Sequence, residues 1–179
     1  WLSMEDLSAQ ENLFVKDVII DSRTHPASDD IFFALRGERH DGHHYIEDLY
    51  RQGVRHFVVD QRWAQRVVWQ GMPLARFCVV PDTLEALQNL AAYHRGKFCY
   101  PVLAITGSNG KTQIKEWVSE LLSECFSLVR SPKSFNSQVG VPLSVFKMND
   151  SVQLGIFEAG ISLPGEMVRL EKIIRPTIG

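Results

Sequence analysis

Short apolar blocks separated by polar turns run along the first 95 residues, and their spacing switches between strand-like and helix-like. Residues 15–21 (VKDVIID) and 30–35 (DIFFAL) have the length and side-chain types of short strands, the second running into Arg-Gly-Glu-Arg. Residues 43–52 read as a short helix closed by Gly53, a residue suited to the position just past a helix end. Residues 54–60 (VRHFVVD) predict a third strand. In 61–70, Trp63, Ala64, Val67 and Val68 suit a short amphipathic helix, which Gly71-Met72-Pro73 breaks. Residues 76–80 (RFCVV) predict a fourth strand. Asp82 with Glu85 three residues on is a capping-box arrangement, and Leu84, Leu87, Leu90 and Ala91 give the stripe of a helix that runs out near Arg95-Gly96. This alternation fills one small α/β domain, with a boundary predicted at 96–101.

A second set of elements follows. Residues 102–106 (VLAIT) have the continuous apolar character of a buried parallel strand. The stripe Ile114, Trp117, Val118, Leu121, Leu122, Cys125 and Phe126 predicts a helix over 112–126, the clearest helical signal in the chain. A further strand is expected near 127–130, a loop over 131–141 and a short helix over 143–148. Residues 153–158 (QLGIFE) predict a strand, 160–165 a loop, and 166–174 a helix ended by Arg175-Pro176. Residues 177–179 look like the start of one more strand.

Composition narrows the classes. The 179 residues carry 19 basic and 21 acidic side chains, a formal net charge of −2, with 45% apolar and 22% charged residues. Those proportions exclude a disordered or collagen-like chain, and the near-neutral balance gives no support for nucleic-acid or membrane-surface binding. No apolar run approaches the roughly 20 residues that span a bilayer. Residues 1–10 contain Glu5 and Asp6 and lack the basic and apolar regions of a signal peptide; the chain begins with Trp1, so the natural start is expected upstream. Cys78, Cys99 and Cys125 cannot all pair, match no zinc spacing and sit beside apolar or aromatic residues. They are expected to be buried free thiols of a cytoplasmic protein.

The chemistry-bearing segment is Gly107-Ser108-Asn109-Gly110-Lys111-Thr112, between a buried strand and an amphipathic helix. Glycines let backbone N–H groups turn inward around phosphate oxygens, and a helix N-terminus adds free donors and partial positive charge. Lys111 supplies a point charge for β- and γ-phosphates, and Thr112 a hydroxyl for Mg²⁺. Ile105 stands where the strict eight-residue phosphate loop has glycine, so this is a shorter variant. A Gly-rich turn with an exposed lysine is the bland alternative; strand, loop, Lys-Thr and helix together favour phosphate. Glu158 ends an apolar strand, where ligands of open α/β sheets gather, and its carboxylate is placed to reach a phosphate-bound Mg²⁺. A solvent-facing strand-end Glu is the alternative there.

GSNGKT matches at every position the G-[TS]-N-G-K-T loop of the Mur ligases of peptidoglycan synthesis, and the chain resembles that family over about 18–179. Three more segments carry the resemblance. Asp21-Ser22-Arg23 followed by DIFFALRGERHDGHHYI resembles the family's DSR…DLF-A-L-x-G-x-x-x-D-G-H. SFNSQVGVPL, residues 134–143, resembles N-N-x-x-G-V-P-L, with Asn136 retained and Ser137 in place of the second Asn. EAGISLPGE, residues 158–166, resembles E-x-G-x-x-x-P-G-E. Ser28-Asp29 replaces a usual turn pair. The resemblance is closest to the members that add D-alanyl-D-alanine to UDP-N-acetylmuramoyl-tripeptide, some of which are fused to an alanine racemase.

The resemblance implies an α/β chain with a small N-terminal UDP-substrate domain, residues 1–98, followed by a P-loop-type parallel-sheet ATPase domain, 99–179, that is cut short. It implies ATP-dependent amide formation through an acyl phosphate, with ATP and Mg²⁺ as cofactors and no nucleic-acid or membrane partner. Carried over by motif, Lys111 and Glu158 are catalytic, and Gly107, Ser108, Asn109, Gly110, Lys111, Thr112 and Asn136 bind the nucleotide. Thr112 and Glu158 hold the metal, and Ser22 and Arg23 hold the uridine diphosphate. A surface ion pair is the plainer role for Arg23. His40, His43 and His44 are read as polar or hydrogen-bonded turn residues rather than a metal site. On this reading the chain is an N-terminal fragment, inactive as a ligase alone, with the adenine and dipeptide sites beyond Gly179. The alternatives are another Mur-type ligase, such as the diamino-acid-adding one, and a non-catalytic UDP-sugar or nucleotide-binding module.

Overall fold

The computed structural model describes residues 15–23, 26–37, 40–66 and 71–179. Expectations for residues 1–10 and for Val67 and Val68 lie outside these. The described residues up to Ala86 form one compact unit, and Leu87–Gly179 form a second.

In the first unit, β1 (Val18–Ile19), β2 (Ile31–Phe33), β3 (His56–Asp60) and β4 (Arg76–Val80) make a parallel sheet in the order β1-β2-β3-β4. Parallel strands need crossovers, and α1 (Ile46–Arg51) supplies the one between β2 and β3. The register sets Phe32 beside Phe57 and Phe57 beside Phe77. Phe57 stacks on Phe77 with ring centroids 5.3 Å apart and meets Phe32 edge-on at 6.4 Å. Ile46, Leu49, Val54 and Val59 complete this core. β1 is shorter than the seven-residue block that predicted it, because only Val18 and Ile19 find partners on the three-residue β2. The expected helix after β3 is described only as α2 (Gln61–Ala64), whose first turn Asp60 caps by accepting the Trp63 N–H. His43 is buried in a 3-10 turn: Nδ1 lies 2.5 Å from Asp41 Oδ1, and Nε2 accepts the Asp60 N–H. It is a hydrogen-bonded turn residue.

α3 (Thr83–Arg95) follows, its first turn capped by Asp82 Oδ1, which accepts from Leu84 and Glu85 N–H. The division between the two units falls within this helix, between Ala86 and Leu87, and the sequence-predicted boundary lies just past its end.

In the second unit, β5 (Val102–Ile105), β6 (Leu128–Arg130) and β7 (Leu154–Glu158) form a parallel sheet in the order β5-β7-β6. On the free side of β5, Ile178 bridges to Leu103 in parallel, as the terminal residues predicted. Every residue of the central strand β7 is buried. Its side chains alternate between faces. Leu154 and Ile156 pack with Val118 and Leu122 of α4 (Lys111–Ser123). Phe157 faces the other way, into a core with Val141 and Val145 of α5 (Gly140–Val145) and Leu170, Ile173 and Ile174 of α6 (Glu166–Ile174). The buried Arg95 guanidinium closes α6 by donating to the carbonyls of Ile174, Arg175 and Phe98.

Two expectations change. Only Val118 and Leu122 of the predicted α4 stripe pack on the sheet, whereas Ile114, Trp117 and Leu121 are exposed. The inward face carries Lys115 and Ser119 instead, because the polar contacts of the first turns, described below, set the rotation of the helix. The cysteines are free, but Cys99 and Cys125 are exposed and Cys78 is half-buried, so apolar sequence neighbours did not mean burial.

Candidate functional site

β5 ends at Ile105, and the chain turns through residues 106–110 into α4. Gly107 has φ 145° and Gly110 φ 78°, conformations that side chains with a Cβ rarely adopt. Gly110 immediately precedes the helix, and its carbonyl accepts the Ile114 N–H. No side chain caps this end, and the residues from Thr106 to Gly110 are exposed, so the helix N-terminus presents its donors to the cleft. Lys111 Nζ donates to the Gly107 carbonyl at 2.6 Å, laying the ammonium back across the loop.

The period-2 alternation of β7 puts Glu158 on the same face as Leu154 and Ile156, the face that α4 covers. Only 1% of Glu158 is exposed, so its carboxylate depends on protein partners. Thr112 Oγ1 donates to Oε2 at 2.8 Å, and Asn136 Nδ2 donates to Oε1 at 2.7 Å. Lys115 Nζ is 3.9 Å from Oε2. The Glu158 N–H donates to Ser131 Oγ. Thr112, Asn136 and Glu158 are thus brought together from α4, the β6–α5 loop and the end of β7.

Asn136 is doubly tied, since its carbonyl also accepts the Gly160 N–H at 2.8 Å. The Ser137 hydroxyl accepts the N–H of Gly140, the first residue of α5, at 3.1 Å. Gln138 donates to the Glu166 carbonyl. Glu166 Oε2 accepts the N–H groups of Ser162 and Leu163, which holds its carboxyl below the usual range. Between these loops lies a cleft of about 770 Å³, lined by Gly107, Ser108, Lys111, Asn136, Ser162 and Glu166 among others.

Ser22 and Arg23 lie in the first unit, in the turn after β1. Arg23 donates from Nε and Nη2 to Asp21 and is otherwise well exposed. The side-chain bond from Arg23 holds the Asp21 carboxyl down at about 2. The surface ion pair expected as the plainer role is therefore present, at the carboxyl end of a parallel strand.

Sequence reasoning missed Lys115 and Ser131. Lys115 is wholly buried and donates from Nζ to the Ser131 carbonyl at 2.9 Å and to the Lys133 carbonyl. The available signal was its position four residues after Lys111, on the helix face that also carries Ser119.

Among the described residues no group of three or more His, Cys, Asp or Glu is arranged to hold a metal. Thr112 and Glu158 offer a hydroxyl and a carboxylate oxygen, the hard donors that suit Mg²⁺ when phosphate and water complete its shell. The donor set therefore fits a phosphate-bound Mg²⁺ and does not fit a metal held by protein alone. Among the described residues no helix is long and apolar enough to cross a membrane.

Two family models match the chain: the Mur ligase family catalytic domain over residues 15–95 and the Mur ligase middle domain over 105–179. The UDP-N-acetylmuramoyl-tripeptide–D-alanyl-D-alanine ligase of Treponema pallidum is 38% identical over 151 residues, 82% of this chain and 33% of the relative. The ligase of the same name from Synechocystis is 34% identical over 178 residues, 99% of this chain and 37% of the relative. The chain thus spans about a third of the length of the curated relatives it matches. A crystal structure of MurF from Acinetobacter baumannii superposes with a TM-score of 0.81 at 31% identity, covering 90% of this chain and 34% of that one. The MurF ligase of Thermotoga maritima in complex with ADP gives 0.78 at 28% identity, covering 93% of this chain and 37% of that one. With a parallel α/β sheet in each unit, the GSNGKT loop at the head of α4, and both family models matched in order, the chain belongs to the Mur ligase family.

Proposed function

We propose that the intact protein is an ATP-dependent ligase that adds D-alanyl-D-alanine to UDP-N-acetylmuramoyl-tripeptide in cytoplasmic peptidoglycan synthesis. The observation that carries this reading is the meeting of Thr112, Asn136 and Glu158 beside the GSNGKT loop, in a chain similar to ligases of that name. Residues 1–98 are read as the UDP-substrate domain, with Ser22 and Arg23 at the diphosphate, and 99–179 as part of the ATP-binding domain.

In this mechanism the protein supplies no nucleophile. The substrate carboxylate attacks the γ-phosphorus, ADP departs, and an acyl phosphate forms. The amine of D-alanyl-D-alanine then attacks the acyl carbon and expels phosphate. The chain's task is to align reactants and stabilise transferring charge. Backbone donors of Gly107, Ser108, Asn109 and Gly110 cradle the phosphates. Lys111 swings from the Gly107 carbonyl to the β- and γ-phosphates. Thr112 and Glu158 would hold Mg²⁺, which when bound offsets phosphate charge, and Asn136 orients the Glu158 carboxylate and would border the nucleotide.

The test is phosphate release by the intact protein supplied with ATP and the UDP-tripeptide. Release dependent on D-alanyl-D-alanine supports the reading; release seen instead when the UDP-dipeptide and a diamino acid are supplied would move it to the diamino-acid-adding ligase. No amine-dependent release would leave a binding module. Lys111→Ala is expected to abolish ATP turnover while UDP-substrate binding is largely kept. Equal loss of both would refute the division of labour between the two domains.

A further inference from the structure

Lys115 has no place in the mechanism above, yet it is the one charged side chain other than Glu158 that is at most 1% exposed among the described residues. Burying an ammonium is costly unless it is compensated, so its partners matter. Nζ donates to two carbonyls of one loop, those of Ser131 and Lys133, and lies 3.2 Å from Glu116 Oε1 and 3.9 Å from Glu158 Oε2. Lys133 is held at φ 49°, a left-handed conformation that non-glycine residues avoid, and its carbonyl is one of the two that Lys115 takes. Three residues further along the same loop, Asn136 donates to Glu158 Oε1 and accepts the Gly160 N–H. Lys115 also stands one helical turn beyond Lys111. The phosphate-loop helix, the Asn136 loop and the end of β7 therefore converge on one buried ammonium.

We propose that Lys115 is a positioning residue of the nucleotide–metal centre: it locks the 131–136 loop against α4 so that Asn136 and Thr112 present the Glu158 carboxylate in one fixed orientation. It touches neither nucleotide nor metal, and it acts through Asn136 and Glu158. The inference rests on the assignment of Thr112 and Glu158 to Mg²⁺ made above.

The experiment measures ADP binding to the intact protein by calorimetry, with and without Mg²⁺, together with amide hydrogen exchange over residues 131–137. Lys115→Met keeps an unbranched side chain one atom shorter and removes its donors and charge. Lys133→Pro acts at the exposed end of the same contact: proline requires φ near −65°, which turns the 133 carbonyl away from Lys115. Both variants are expected to leave Mg²⁺-free ADP affinity within about threefold and to reduce the Mg²⁺-dependent gain by about 10–100-fold, the usual loss when a metal ligand's outer partner is removed. Both should also speed exchange in the loop. Should Lys115→Met fail to fold, the Lys133→Pro result decides. A wild-type Mg²⁺ gain retained in a folded variant overturns the proposal, and so does an equal loss of Mg²⁺-free affinity, which would mark a merely structural lysine. If the wild-type protein shows no Mg²⁺ gain, the assignment of the metal to Thr112 and Glu158 fails instead.

Discussion

Gly160 gives a sharp test of how the site is held. A Cβ added there would lie 2.9 Å from Cγ of Asn136, 3.1 Å from Nδ2 and 3.2 Å from Oδ1. The φ of Gly160 is not positive, so alanine is acceptable to the backbone and the perturbation is purely one of space. The backbone cannot back away freely, because the Gly160 N–H is bonded to the Asn136 carbonyl at 2.8 Å. The Asn136 amide must therefore move by roughly half an ångström or change rotamer, away from its 2.7 Å contact with Glu158. Glu158 is 1% exposed, so no water replaces the lost donor. A hydrogen bond to a charged group contributes about 1.5–3 kcal/mol, and the lower unfolded-state entropy of alanine returns about 0.4–1 kcal/mol. Gly160→Ala should therefore destabilise the second unit by about 1–2 kcal/mol in urea unfolding. The mechanism predicts a specific coupling. In an Asn136→Ala background, where the amide is gone, Gly160→Ala should be neutral or slightly stabilising. An equal cost in both backgrounds would show that the strain falls elsewhere, and the reasoning would fail.

Other consequences follow from burial and titration. Glu166 has its folded pKa depressed by the Ser162 and Leu163 N–H donors, so its contribution is present above the unfolded value of about 4.5 and is lost as pH falls through the lower folded value. Glu166→Gln should lower stability at neutral pH and flatten the acid limb of a urea-midpoint profile from about pH 5 downward; an unchanged limb would refute this. A thiol reagent should label the exposed Cys99 and Cys125 quickly and Cys78 slowly, because burial both shields the Cys78 thiol and raises its pKa. Equal rates for all three would contradict the fold around β4. Phe157→Ala should cost about 3–5 kcal/mol, since the ring is fully buried between β7, α5 and α6. A loss below 1 kcal/mol would mean that this core collapses easily around the cavity.

Local signals carried much of the architecture. The runs VLAI and LGIFE became strands because continuous apolar blocks have a stable home in a buried parallel sheet. The GSNGKT loop was legible because strand, glycines and helix are all encoded within a dozen residues. Glu158 was found at the end of β7 for the same local reason. Strand length was less legible: β1 is as long as its neighbour allows, and that neighbour is β2, a separate segment.

The rotation of α4 lay beyond the sequence pattern. Periodicity identified the helix and an apolar stripe that includes Ile114, Trp117 and Leu121, yet these three are exposed. The inward face is set instead by Thr112 and Lys115 reaching Glu158 and the 131–133 carbonyls, partners 16–46 residues away in sequence. No local rule marks a lysine for burial, because the compensation comes from carbonyls and carboxylates that only folding brings within reach. By itself the sequence determined which segments are strands and helices, where the glycine-rich loop enters α4 and which family the motifs belong to, because each of those rests on neighbours in the chain. Only the tertiary structure decided which side of α4 faces inward, that Asn136 and Thr112 converge on Glu158, and that a buried ammonium ties them together, because a hydrogen bond depends on distance in space.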